Sequence, residues 1–412
     1  MKTMPLKGIT IIDFGHVMAG PYGTKQLLGM GATVIKVESK KHSDNFRYSY
    51  MRAGNKDLLN EGGWIFQENN TSKMALGLNT KSVKAQEILH KLVKKADVVT
   101  ANLSPSGFHK MGIDYETLSR IKEDIIVINA SGMGDYGPYS AYRTAAPIMQ
   151  ALSGFSSLIG YDGEEPFGFG AALSDYVGGA YIAAAVTAAL EYRRRTGKGQ
   201  FIDLSSTDAS ICTIGAEALN YSVTREETVP FGNHHYRRQM APHNCYPCKG
   251  QDSWCTIAVG NDEEWKAFRN ELRSECPWVD DEKFATLPDR LHNEDLLDEY
   301  ISEWTKNLDK KEVAERLQKA GVSAGMVENS KEFLENEHAN AVGFFKDIQF
   351  DVSGFKPEHA KITGRVIDMR DVPEIKYGLA PRAGQDNDYI LKEMLGMSDE
   401  EIEDAAADGA FN

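Results

Sequence analysis

Four short runs rich in branched apolar residues, ITIIDF (9–14), ATVIKVE (32–38), ADVVTANL (96–103) and DIIVINAS (124–131), alternate with helical stretches through the first half of the chain. That rhythm predicts a parallel sheet with helices on both faces, because parallel neighbours need a long crossover and a helix supplies it. Between the second and third runs, Val83, Ala85, Ile88, Leu89, Leu92, Val93 and Ala96 fall at helical spacing, with Asn79 or Thr80 as the cap. A long helix is expected from SDYVGGAYIAAAVTAALEYRRRTGKGQ, whose small residues permit burial. Arg193, Arg194 and Arg195 suit its last turn and Gly197 its end, and the strand QFIDLSS (200–206) follows directly. After about residue 225 the texture changes to the turn-rich FGNHHYRRQMAPHNCYPCKG and then to charged helices between 261 and 335. The expected fold class is therefore α/β: a large parallel-sheet domain over 1–224, a smaller α+β domain over 225–335, and a linker and C-terminal segment over 336–412 that ends in two short helices.

With 412 residues, 42% of them hydrophobic, the chain is long enough for two cores and a buried site. Its formal charge of −14 excludes a nucleic-acid surface, so any anionic ligand needs a local basic pocket. The start, MKTMPLKGITIIDFGHVMAG, has too short an apolar run for a signal peptide, and no run of eighteen apolar residues occurs, so a cytoplasmic protein with no membrane partner is expected. Cys212, Cys245, Cys248, Cys255 and Cys276 are odd in number and read as free thiols. HNCYPCKGQDSWC contains a CxxC, but a turn and a strand follow it rather than a helix, so two thiols on a hairpin are expected.

Two segments carry candidate chemistry. GHVMAGPYGTKQLLGMGA follows the first strand, and Gly15, Gly20 and Gly23 bring backbone close to a ligand or to a packing neighbour. Neither GxGxxG nor GxxxxGK[ST] is present, so a dinucleotide or ATP reading is weak. The second segment is GFGAALSDYVGG (168–179), where Asp175 stands at the start of the long helix. A carboxylate there serves as a cap or dipole partner, or does chemistry if the adjacent Ser174 caps instead, with Gly178 and Gly179 leaving room for a bulky group.

The blocks PLKGITIIDFGHVMAGPYGTKQLLGMGATVIKVE, SGMGDYGPY, ALSDYVGGAY…AALEYRRRTGKGQFIDLS, GNHHYRRQMAPHNCYPCKG, GVSAGMV and APRAGQDNDYILKEMLG resemble successive blocks of the class III CoA-transferases, in family order along essentially the whole chain. The resemblance implies a Rossmann-like large domain completed by the C-terminal tail. It also implies a homodimer of interlocked rings, or a heterodimer with a related subunit. The implied substrates are an acyl-CoA thioester and a free carboxylic acid, with no permanently bound cofactor and no metal. The family nucleophile falls on Asp175.

The resemblance places CoA-binding positions at His16, Val17, Met18, Ser39, Lys40, Leu78, Asn79, Thr80, Lys81, Asn102, Leu103 and Lys110. Lys40, Lys41, Lys81 and Lys110 together would form the basic pocket that the net charge demands. Related α-methylacyl-CoA racemases carry a His-Asp pair where this chain has Ala145 and Ala146, which weakens a racemase reading because α-proton transfer needs a positioned base. The alanines suit a wider acyl pocket. Arg143 beside them suits a CoA phosphate or a second carboxylate on the acceptor, which would be a substituted organic acid such as a benzylsuccinate-type dicarboxylate. In GNHHYRRQMAPHNC, three histidines allow a metal site, Arg237 or Arg238 can meet an acidic acceptor, and plain surface exposure stands beside both readings. A CoA-binding subunit of a heteromeric transferase is the non-enzymatic alternative.

Overall fold

The computed structural model describes residues 3–47, 63–161, 163–349 and 359–412. Two compact units emerge: residues 1–156, 168–223 and 338–412 form the first, and residues 157–167 and 224–337 the second. Residues 157–167, read from the sequence with the large domain, thus belong to the smaller unit.

The first unit is built on six parallel strands, β1 (Thr10–Asp13), β2 (Thr33–Glu38), β3 (Met74–Gly77), β4 (Val98–Ala101), β5 (Ile126–Ser131) and β6 (Gln200–Ser205), in the spatial order β3-β2-β1-β4-β5-β6. This is the doubly wound, Rossmann-like order, in which the chain reverses direction between β1 and β4 and leaves a crevice beyond their carboxyl ends. Its helices are α1 (Ala19–Gly29), α2 (Trp64–Asn70), α3 (Val83–Val93), α4 (Pro105–Lys110), α5 (Tyr115–Ser119), α6 (Ala146–Leu152), α7 (Phe155–Leu158, whose residues divide between the two units), α8 (Leu173–Thr196), α9 (Ser206–Thr213) and α10 (Gly215–Thr224). Alternate residues of each strand go to opposite layers: Ile12, Val99 and Val127 pack with Ile88, Leu89 and Leu92 of α3, whereas Ile11, Val98 and Ile126 pack with Leu27 of α1 and Ile182 and Val186 of α8.

Strand β3 was not expected from the sequence, since MALG is short and lacks a branched residue at Cβ. Its outer edge is closed by the C-terminal segment, where Asp386 accepts the Ala75 N–H and Asn387 the Gly77 N–H, each at 2.8 Å. The same segment buries Ile390, Leu391, Ala405 and Ala410 in the α3 layer. The cap of α3 is Ser82 rather than Asn79 or Thr80, its side chain accepting from the Ala85 N–H. Helix α8 ends as expected, with Gly197 left-handed at its C-terminus. By length and hydropathy α8 would suffice to cross a bilayer, but its Ile182, Val186 and Ala189 are buried against the sheet.

Helices α1 and α8 touch backbone to backbone. A side chain on Gly179 would lie 2.7 Å from Tyr22 Cδ1 and 2.8 Å from the Ala19 carbonyl, and one on Gly23 would lie 2.8 Å from the Gly179 carbonyl. Gly178 is closed in the same way by Ser206 of α9, at 2.7 Å. The two glycines therefore admit neighbouring elements rather than the bulky group for which the sequence suggested them. Below this crossing, Asp13 at the end of β1 is fully buried and accepts from the Gly15 N–H at 2.7 Å, Thr24 Oγ1 at 2.7 Å and Lys73 Nζ at 2.9 Å. Lys73 also donates to the Pro21 carbonyl at 3.0 Å, tying β1, α1 and the approach to β3 together. Burial pulls the Lys73 ammonium down to about 8 despite its pairing with Asp13.

The second unit is a three-stranded antiparallel sheet, β7 (His243–Pro247), β8 (Trp254–Ala258) and β9 (Ser323–Met326), covered by helices around Trp265, Phe268, Leu297, Ile301 and Leu317. Of the two thiols expected on a hairpin, Cys245 lies in β7 and Cys248 just past its end, its N–H donating to the Ser253 carbonyl across the turn, and Cys212, Cys245, Cys248, Cys255 and Cys276 are all free. Because the atom in the way at Gly179 is partly backbone, Gly179→Ala should cost about 2–3 kcal/mol. Urea unfolding measures this, and an unchanged midpoint would mean that the helices do not meet there.

Candidate active site

Asp175 sits in the first turn of α8, but it does not cap that helix. Ala172 is the N-cap and makes no side-chain bond. Ser174, one of the two caps the sequence allowed, is turned inward, fully buried with its hydroxyl unpartnered among the described residues. The Asp175 carboxylate faces the backbone N–H of Ala19, the first residue of α1. Two effects compete on it. Burial pushes its pKa up and the Ala19 N–H pulls it down, and burial wins, leaving it at about 6 rather than the ordinary 3.8. The sequence suggested the opposite sign, a helix terminus holding the charged form, because it shows the helix start but not the loss of water. At neutral pH the group is ionised yet more basic than an ordinary aspartate. Tyr176 and Tyr22 stand edge to face beside it, ring centroids 4.8 Å apart.

The β1–α1 turn that leads to Ala19 also walls a cavity of about 670 Å³. Of the positions expected to bind CoA, His16, Val17, Ser39, Lys40, Leu78, Asn79, Thr80, Lys81 and Leu103 line it, joined by Lys41, His42, Ser43 and Asn45. It opens at the carboxyl ends of β1, β2 and β3, and Lys40, Lys41 and Lys81 supply the positive charge that the acidic chain lacks overall. His16 is held below its ordinary pKa by burial and the Lys36 charge, so its ring is neutral. Asn102 lines a neighbouring cavity of about 620 Å³ together with Leu103, Ser131, Gly132 and Arg143. Its carboxamide is bonded in both directions to the His16 backbone, at 2.7 and 2.8 Å.

Three expected positions stand outside both walls. Met18 is buried as the N-cap of α1, Lys110 is exposed in the last turn of α4, and Ala146 is buried as the first residue of α6. In the second unit, Arg238 is paired with Glu294 at 2.9 Å and donates to the Leu291 carbonyl, and Arg237 lies over the Tyr236 ring. His234 bonds Asp298 at 2.7 Å, and His235 and His243 stand ring to ring. Sequence reasoning missed the Ala19 N–H, because a backbone donor has no residue type to signal it, and most of the 41–45 wall, which carries only common polar residues.

Asp175 lines neither of these two cavities; it stands on the α1–α8 contact, while the lysine-bearing cavity opens beyond the carboxyl ends of the sheet, the region where doubly wound folds bind their ligands. Residues 6–387 match the model of CoA-transferase family III, and the chain belongs to that family. The chain is 33% identical over 325 residues to an acetyl-CoA:oxalate CoA-transferase of Acetobacter aceti, covering 78% of this chain and 80% of the relative. It is 29% identical over 346 residues to a succinate–glutarate CoA-transferase of Agrobacterium fabrum, covering 84% and 85%. The crystal structure of a CAIB/BAIF family protein from Brucella suis superimposes with a TM-score of 0.83 at 28% identity, covering 96% of this chain and all of that one. The protein is thus a class III CoA-transferase.

A folded-state pKa above the unfolded one makes ionised Asp175 a cost to stability, present in full above pH 6 and gone below about 3.8. Asp175→Asn is therefore expected to gain up to about 3 kcal/mol at pH 7.5 and to lose that gain as the pH falls toward 4. Denaturation across this range measures it, and a gain independent of pH would contradict the desolvated carboxylate.

Proposed function

We propose that the enzyme moves CoA from an acyl-CoA to a carboxylic acid through covalent bonds to Asp175. The observation that carries this reading is the meeting of a half-buried, basic carboxylate with the first N–H of the helix whose approach turn walls the larger cavity. The Asp175 carboxylate attacks the donor thioester carbonyl and CoA leaves as thiolate, forming a mixed anhydride. The thiolate then attacks the Asp175 carbonyl and releases the donor acid, leaving an aspartyl-CoA thioester. The acceptor carboxylate attacks that thioester, and the two steps run in reverse to give the new acyl-CoA and free Asp175. Each bond broken is as activated as the bond formed, so no other energy source is needed. The Ala19 N–H is placed to donate to the oxygen of Asp175 while negative charge collects there. The lysines at 40, 41 and 81 would hold the CoA phosphates.

The acceptor is proposed to be a dicarboxylate, with the Arg143 guanidinium in the second cavity holding its far carboxylate. The oxalate and the succinate–glutarate in the relatives' names support this class. Incubation with acyl-CoA and hydroxylamine should convert Asp175 to its hydroxamate, detected by mass spectrometry of the digested protein. An Asp175 peptide left unmodified by an enzyme that still turns over would overturn the covalent route. In a panel of mono- and dicarboxylic acids that includes benzylsuccinate-type compounds, Arg143→Ala should raise KM about tenfold or more for the dicarboxylates alone. Equal change for every acid would remove Arg143 from the site.

A second copy of the chain is proposed to cover the apolar side of α8, α9 and α10. Tyr181, Tyr192 and Ile211 are exposed there, and Leu219 and Val223 are 66% and 74% exposed, apolar surface that a second copy would cover. Sedimentation should give twice the 45.7 kDa chain mass, and Leu219→Glu with Val223→Glu should lower it. A monomer in both cases would contradict the interface.

A further inference from the structure

The turn between β1 and α1 contains a conformation that neither the fold nor the proposed chemistry explains by itself. Val17 has φ 67°, in the left-handed region. A β-branched residue is a steric outlier there, and such backbone persists only where its surroundings over-determine it. They do so here from three sides. The Val17 N–H donates to Asp44 Oδ2 at 3.0 Å. The preceding residue, His16, is clamped through its own N–H and carbonyl by Asn102. Lys36 Nζ donates to the Gly15 carbonyl at 2.6 Å and to the same Asp44 oxygen at 3.3 Å.

Asp44 is built to stay where it is. Its carboxylate and the Lys36 ammonium are fully buried. Its other oxygen accepts the Phe46 N–H at 2.9 Å, and its own N–H donates to Glu38 at 3.1 Å. Glu38 is held in turn by Arg47, and Arg47 by the Pro381 carbonyl. A buried carboxylate with this many partners costs much to assemble, and the strained backbone it contacts is that of Val17. Two residues further on, Ala19 meets α8: its carbonyl lies 2.8 Å from where a side chain on Gly179 would begin, one turn on from Asp175, and its N–H acts on the Asp175 carboxylate. The dihedrals at Val17 set the direction of the chain into α1 and therefore the aim of that N–H.

We infer that Asp44 is a positioning residue of the transferase: its carboxylate holds Val17 left-handed, and the turn so held keeps the Ala19 N–H on the Asp175 carboxylate. Without the bond, Val17 relaxes toward ordinary β or α backbone and the donor swings off the reacting carbonyl. The inference rests on the reading of Asp175 as the nucleophile.

The test uses glycine, which adopts left-handed backbone without penalty. Asp44→Ala is made in the wild-type chain and again in a Val17→Gly chain, and kcat is measured at saturating acyl-CoA and acceptor. The expected result is a loss of about tenfold or more in the wild-type background and about twofold or less in the Val17→Gly background, a coupling of the size such strain implies. Asp44→Asn, which keeps an acceptor for the Val17 N–H, should retain most of kcat in both chains. A merely structural role lowers the melting temperature and kcat equally in the two backgrounds, and that result would overturn the proposal. So would equal losses for Asp44→Asn and Asp44→Ala, which would assign the effect to the Lys36 charge. If Asp44→Ala does not fold, Asp44→Ser, too short to reach the Val17 N–H, carries the same comparison. Asp175→Asn separates the two readings: activity that survives it sinks the nucleophile, whereas an absent coupling in an enzyme that Asp175→Asn silences sinks only the role of Asp44.

Discussion

The close crossing of α1 and α8 is the constraint on which the rest of the large unit depends. Two helices with ordinary side chains at the contact keep their axes about 8–10 Å apart. Gly23 and Gly179 remove those side chains, so that the start of one helix can lie against the first turn of the other. The consequence is chemical as well as mechanical, because it brings the Ala19 N–H to the Asp175 carboxylate and withdraws that carboxylate in part from water. The Asp13–Lys73 pair beneath the crossing fixes where α1 begins relative to the sheet.

The electrostatics of the site follow from that geometry. A helix terminus attracts negative charge, and a lone surface aspartate there would be a stabilising, unreactive group. Removing water reverses the balance, and a carboxylate left near pH 6 is both ionised in neutral solution and a better nucleophile than an ordinary aspartate. On the proposed mechanism, stability is given up for reactivity at this one residue, as functional sites commonly require.

Much of this was legible in the sequence and some was not, for identifiable reasons. The five expected strands of the large sheet and the helices at 83–93 and 173–196 follow from hydrophobic period, a signal that burial on two faces of a sheet makes strong. The nine wall residues came from ordered family blocks, since no spacing rule singles out Leu78 or Thr80. Strand β3 escaped because MALG owes its place to pairing with β2 and to the C-terminal segment, both distant in sequence. Whether Ser174 caps stayed open in the sequence, because a serine at a helix start looks the same whether it turns out or in. Gly178 and Gly179 showed that something approaches closely, without showing whether it is a ligand or a helix. The left-handed Val17 has no sequence signature at all, since its residue type argues against the conformation.

The central claim is that Asp175 exchanges its own oxygen atoms during turnover. An acceptor carboxylate labelled with oxygen-18 attacks the aspartyl-CoA carbonyl, becomes the bridge of the anhydride, and leaves its oxygen on the aspartate when CoA departs with the new acyl group. After many turnovers with labelled acceptor, mass spectrometry should find oxygen-18 in the peptide that contains Asp175 and in no other aspartate or glutamate. Full turnover with that peptide unlabelled would contradict the account.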